Sequence, residues 1–202
     1  MKVIHIGLMR SMPDVPKPVI LCHGANLESF GFFQRNGVRE MLTTFSRIIV
    51  QRIRPGQRIT VEQEQMNEYQ VHVHVRADGL AGVITADLEY PARVAFGLLA
   101  QLMDDFVNAA PGWEKETRDD AIAFPPIADA IVRCQDPANF DKIVKIQRDL
   151  DDTTAVLHKT IDNILERGEK LDQLVERSDD LSAQSKLFYK QARKTNSCCV
   201  IS

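Results

Sequence analysis

The chain of 202 residues lacks most of what would place it in a common biochemical class. It has only four cysteines, at 22, 134, 198 and 199, too few and too unevenly spaced for a disulfide scaffold. That points to a reducing, cytosolic setting. Its 25 basic and 28 acidic residues leave a net charge of −3, which gives no pull toward nucleic acid. No stretch approaches the roughly 18 apolar residues needed to span a bilayer. The opening MKVIHIGLMRSMPDVPKP breaks into Arg and Pro too early for a signal peptide. No G-x-x-x-x-G-K-[ST], G-x-S-x-G or G-x-G-x-x-G occurs. These absences exclude a P-loop nucleotide site, a serine-hydrolase elbow and a dinucleotide fold.

What is present divides into two textures. A hydrophobic fraction of 44% supports a real core. Residues 1–134 carry mixed strand and helix signals, and we read them as one α+β domain. KVIHIGLMR and PVILCHG form a strand pair across a Pro-rich turn. Val38, Met41, Leu42, Phe45, Ile48 and Ile49 fall at helical steps of three and four, on one face. ITVEQEQ and EYQVHVHV alternate, and Asp78–Gly79 marks a hairpin into LAGVITADLE. Pro91 then opens a second helix. The order predicts a five-stranded antiparallel sheet with flanking helices. Pro125, Pro126 and Pro137 rule out one continuous helix near residue 134, and a linker is placed at 135–138.

From 139 onward there is one glycine, no proline, and a heptad pattern. Starting at Ile143, alternating steps of three and four run through sixteen positions without a gap. They include Ile143, Ile146, Leu150, Leu157, Ile164, Arg167, Leu171, Leu174, Leu181 and Phe188. Such a segment, fully helical, would be about 80 Å long. Arg167 at the middle of an apolar seam costs several kcal/mol unless partners present acceptors at its level. Thr, Ser and Ala at many seam positions would make a homodimer weak. Gly168 in mid-helix costs about 1 kcal/mol. The isolated segment is therefore expected to be unfolded and to become helical on assembly. An ordinary coiled-coil dimer and a single amphipathic helix on the α+β domain are the competing readings of periodicity alone.

The last residues, Cys199-Val200-Ile201-Ser202, fit a prenylation box whose terminal serine favours farnesyl. One lipid chain gives only marginal, reversible binding. Cys198 is placed to supply palmitate as the second signal. Lys186, Lys190, Arg193 and Lys194 form a basic stretch just upstream, which either meets anionic lipid or is a solvated helix end. An unpaired seam and a bare farnesyl chain are both costly in water. The sequence therefore predicts that the first domain folds back over the heptads and shelters the lipid.

LERGEKLDQLV, with Arg167 central to sixteen layers, resembles the R-SNARE motif of synaptobrevin-like vesicle SNAREs. FFQRNGV, HVHVRADGLAGVITADLEYPARVAF and QSKLFYKQARKTNSCCVIS resemble the lipid-anchored longin R-SNAREs. The resemblance covers nearly the whole chain. It implies a profilin-like longin domain at 1–134, an R-SNARE motif at 139–196 and a lipidation tail at 197–202. It implies that Arg167 meets three glutamines, one from each of three Q-SNARE helices, in a parallel four-helix bundle. An ATP-driven disassembly enzyme with its adaptor is implied as a further partner. So is cycling between cytosol and the cytosolic faces of Golgi, endosomal and vacuolar membranes. Met41, Leu42 and Phe45 are implied as the helix face that packs the SNARE segment. Members often carry Phe-Met-Thr-Phe there; this chain has Met41-Leu42-Thr43-Thr44. The competing function is a lipid-anchored longin scaffold or trafficking adaptor without fusion activity.

Other constellations point nowhere sharper. His72 and His74 share one strand face without further ligands at matching spacing, and read as polar-face histidines. Cys22–His23 and Cys134 lack activating neighbours, and Trp113 reads as part of a surface loop. The chain is expected to be no enzyme, with no metal and no cofactor beyond covalent lipid.

Overall fold

The computed structural model describes residues 2–62, 68–136, 139 and 156–197. Within them lie β1 (Val3–Arg10), β2 (Val19–Ala25), α1 (Arg35–Gln51), β3 (Arg58–Glu62), β4 (Tyr69–Val75), β5 (Leu80–Asp87) and α2 (Ala92–Ala109). After these come α3 (Pro126–Arg133), β6 (Val156–Thr160), α4 (Leu171–Arg177) and α5 (Ala183–Ser197). The six strands lie in the order β2-β1-β5-β4-β3-β6. The first five pair antiparallel, as the strand and turn signals predict.

The sheet is buried on both faces. Over one face, α2 and α3 pack Phe96, Leu99, Met103 and Ile127 against Ile6, Leu8, Leu80 and Ile84. Over the other, α1 packs Met41, Phe45 and Ile49 against Ile59, Val71, Val73 and Val83. Every position of β1 is buried for this reason. Two glycines are fixed by geometry. Gly79 closes the β4–β5 hairpin at φ +87°, a conformation other residues rarely adopt. A Cβ on Gly82 would sit 2.8 Å from Leu99 Cδ2, so α2 could not approach the sheet so closely.

Double coverage corrects two readings of the sequence. His72 is fully buried rather than on a polar face, with Thr60 Oγ1 3.0 Å from its Nδ1 and the Phe96 ring 5.6 Å away. Burial pushes its pKa down to about 4. Trp113 is 2% exposed and belongs to the α2-side core, not to a surface loop. The segment around Pro125 and Pro126 also holds a helix that the sequence reading did not assign. Pro126 is its first residue, where the missing N–H removes no bond. Gln135, just past α3, donates to the Val3 carbonyl and accepts from the Val3 N–H, fastening the chain to the sheet end.

The heptad segment is not one continuous helix among the described residues. It is a strand, a 3₁₀ turn (Ile161–Asn163) and two helices laid on the α1 side of the domain. Without partner helices, an extended seam would leave its Leu and Ile side chains in water. Breaking the helix lets them enter the domain's own core.

Candidate functional site

The candidate site is the interface between 156–197 and the domain. It begins at a sheet edge. β6 pairs parallel with β3, from Arg58 against Val156 to Glu62 against Thr160. This occupies backbone groups of β3 that would otherwise form an open edge. Ile161 and Leu165 then turn into the α1-side core.

At Arg167 the chain reverses. The Glu169 N–H donates to the Glu166 carbonyl across 2.9 Å, and Gly168 has φ +92°. A turn with positive φ at its third residue favours glycine. Glu169 closes the turn a second way, since its carboxylate accepts from the Glu166 N–H at 3.0 Å and from Arg52 Nη2 at 2.7 Å. The Arg52 hydrogen bond, followed by the Glu166 N–H, holds the Glu169 carboxyl below the usual carboxylate value. Arg167 itself is exposed at the turn.

α4 and α5 form a helical hairpin over α1. Leu171, Val175, Leu181 and Tyr189 are buried with Met41 and Phe45, and the Phe45 and Tyr189 rings meet edge to face at 5.9 Å. Phe188, half-buried, packs beside Leu42. The start of α5 is capped by another helix. Ser182 Oγ accepts the Ser185 N–H at 3.2 Å, the usual N-cap bond. In a capping box the third residue of the helix would return an acid to the cap N–H. That residue is Ser185, so Glu40 of α1 takes the role. Its carboxylate accepts from the Ser182 N–H at 2.9 Å and the Ser185 hydroxyl at 2.7 Å. Partial burial would raise Glu40, and the Ser185 and Ser182 bonds outweigh it, leaving the carboxyl below its usual value.

A second clasp holds the α4–α5 corner. Asp180 accepts from Lys17 Nζ at 2.7 Å and from Arg47 Nη1 at 2.5 Å, while Arg47 Nη2 reaches Asp119 at 2.6 Å. Burial would raise Asp180, and the Lys17 and Arg47 contacts outweigh it, leaving the carboxyl below its usual value. Thr44 is buried beside this clasp, its hydroxyl without a partner, and lines a polar recess of about 260 Å³ with Arg47, Asp119 and Asp180.

The sequence-assigned seam is thus only partly the face that docks. Leu171 and Leu181 are buried, while Ile164, Leu174 and Phe188 are half-buried. Leu157, on β6, is 39% exposed. Ile143, Ile146, Leu150, Cys198 and Cys199 lie outside the described residues. Met41, Leu42 and Phe45 are all buried against the segment or beside it. The sequence reading missed Ile161, Leu165, Val175 and Tyr189, each one position after a seam residue and each buried. One signal was available. Ile161, Val175 and Tyr189 recur two heptads apart, at a position a coiled coil normally leaves polar. Among the described residues no helix is long and apolar enough to cross a membrane. No cluster of His, Cys, Asp and Glu there could hold a metal.

Two family models match. Residues 27–130 match the regulated-SNARE-like longin domain, and residues 142–201 match synaptobrevin. The synaptobrevin homolog ykt6 of Schizosaccharomyces pombe is 45% identical over the full length of both chains. The VAMP-like protein YKT61 of Arabidopsis thaliana is 44% identical, again with both chains fully covered. The synaptobrevin homolog YKT6 of Saccharomyces cerevisiae is 42% identical over the whole of each chain. Domain order, sheet and heptads agree with these matches, and the chain belongs to the longin R-SNARE family of synaptobrevin-like vesicle SNAREs.

Proposed function

We propose that the chain drives membrane fusion by assembling with three Q-SNARE helices, and that its longin domain competes with them for the heptad segment. The observation that carries this reading is that Leu171 and Leu181 are buried, and Leu174 and Phe188 half-buried, in the core on the α1 side of the domain. The same side chains would form layers of a four-helix bundle, so the two states exclude each other. Closure holds the segment bent at Gly168; assembly straightens it and brings Arg167 from solvent to the central layer, where three partner glutamines supply acceptors. Zippering toward the tail then draws two bilayers together. Assembly energy does this work, without enzymatic chemistry, and an ATP-driven disassembly enzyme with its adaptor resets the bundle.

Attachment rests on farnesyl at Cys199 and reversible palmitate at Cys198, with the domain layout as read above. The active form is placed on the cytosolic faces of Golgi, endosomal and vacuolar membranes. The longin adaptor reading is separated from this one by Arg167. A scaffold tolerates Arg167→Leu, or gains stability; a fusion SNARE changes bundle register or disassembly. The first test mixes residues 139–195 with candidate glutamine-SNARE helices and follows helicity by circular dichroism. A large gain of helix supports the reading, and no gain with any set overturns it. Mass spectrometry of the cellular C-terminus tests the lipids, and an unmodified Cys199 removes the anchoring step.

A further inference from the structure

α5 carries Lys186, Lys190, Arg193 and Lys194, and no acidic residue follows Asp180 in the chain. In the folded-back state these cations lie along α4. Lys190 Nζ is 3.0 Å from Glu176 Oε1, and Lys186 Nζ donates to the Glu176 backbone carbonyl at 2.9 Å. Arg193 forms an ion pair with Asp172, which also accepts from the Tyr189 hydroxyl at 2.9 Å. Together they line an open groove between the two helices. The Lys190 hydrogen bond and charge hold the Glu176 carboxyl below its usual value.

These pairs depend on the hairpin. If 171–197 became one straight helix, Asp172 and Arg193 would stand about 31 Å apart, and Glu176 and Lys190 about 21 Å, at 1.5 Å per residue. No side chain spans either distance, so all of the pairs break in one step.

We propose that the cationic face of α5 is a binding site for an anionic lipid surface, and that α4 neutralises it in the folded-back state through Asp172 and Glu176. The proposal rests on the folded-back state as a resting form, and on lipid rather than another polyanion because the stretch stands next to Cys198 and Cys199, the candidate attachment sites. Opening the hairpin then bares the seam for partner helices and the cations for the membrane together. Attraction of this kind is additive over charges near the surface and fades within a Debye length. Membrane capture and assembly competence are coupled by geometry, before any lipid chain inserts.

The test uses the unlipidated full-length chain and vesicles of phosphatidylcholine with or without phosphatidylserine. Wild type should bind weakly. Asp172→Asn with Glu176→Gln keeps the hydrogen-bond acceptors and removes the masking charge. It should partition at least about tenfold more strongly onto phosphatidylserine vesicles. Raising salt, or adding Lys190→Gln and Arg193→Gln, should abolish the gain. Asp105→Asn with Asp129→Asn makes the same charge change away from α5 and should bind like wild type. Equal binding by the two double variants would overturn the proposal, and so would equal capture by pure phosphatidylcholine. Hydrogen exchange on the wild-type chain gives a second reading that needs no variant. Anionic vesicles should deprotect the α4–α5 hairpin; binding with its protection unchanged contradicts the mechanism. Neither reading involves Q-SNARE helices, so failure of the fusion assignment shows separately, as no helix gain on mixing.

Discussion

Gly168 is the residue on which the folded-back state and the proposed assembled state both turn. At φ +92° it sits where a side chain is strained, by about 1 kcal/mol, and in the bundle it weakens a helix by a similar amount. Gly168→Ala should therefore penalise the folded-back state and favour the straight helix, a combined shift of about 2 kcal/mol or roughly thirtyfold. Hydrogen exchange on α4 and α5 reads the folded-back share of that shift, about 1 kcal/mol, and opening should rise about fivefold; an unchanged rate would mean that the turn does not control the segment. Residues of this kind were half legible. Gly168 stood out as costly in a helix, but its turn role needed the fold. The burial of Met41, Leu42 and Phe45 was legible because they share one apolar stripe of α1, whereas a role in packing the heptad segment was only implied by the resemblance. The burial of His72 was not legible, because the α2 ring that meets it, Phe96, is distant in sequence, and that of Trp113 was not, because the core it joins is built from strands far upstream as well as from α2. Thr44 marks a place where this chain keeps a buried hydroxyl without a partner next to the clasp.

At the scale of elements, the five antiparallel strands and both long helices followed from period and turn chemistry. The broken form of the heptad segment did not. A seam repeating every 3.5 residues says that a helix would be covered, and says nothing of what the chain does when no cover is present. β6 shows the answer: the segment adopts the conformation that the open β3 edge rewards. Val175 and Tyr189 show the same competition in side chains, since they enter the α1-side core although neither lies on the seam. α5 depends on a cap from outside its own sequence. Glu40→Ala would leave the Ser182 N–H and Ser185 hydroxyl without that carboxylate, weakening the docked start of α5 by about 1–2 kcal/mol. The signature would be faster amide exchange confined to α5, with the sheet unchanged. Faster exchange across the whole domain, or no change, would place the start of α5 under other control.

The whole molecule responds to acid in two separate ranges. Burial lowers His5 to about 3, and His72 and His74 to about 4, from an ordinary value of 6.5. In the unfolded chain these rings take up protons as pH drops below about 6.5, while the folded chain resists. Stability contributed by neutral burial is complete above that value and declines steadily toward pH 4. Glu40, Glu169 and Asp180 are depressed carboxyls, so their clasps hold until pH falls below the ordinary carboxylate range. The urea midpoint should therefore drop between pH 7 and 5, with the α4–α5 hairpin still docked on the remaining folded molecules. A flat midpoint over that range would contradict the buried neutral histidines.

The central claim is that one segment serves two exclusive states, and that Val175 and Tyr189 belong to only one of them. It is tested most directly by the rate at which the full-length chain assembles with its three glutamine-SNARE helices. Val175→Ala with Tyr189→Ala removes docking contacts without touching the seam, and should speed assembly at least about tenfold while leaving the bundle's melting point close to wild type. Leu174→Ala, on the seam, should instead lower that melting point. If the Val175 and Tyr189 variant assembles no faster than wild type, or melts as early as the Leu174 variant, the folded-back state does not restrain assembly in the way described.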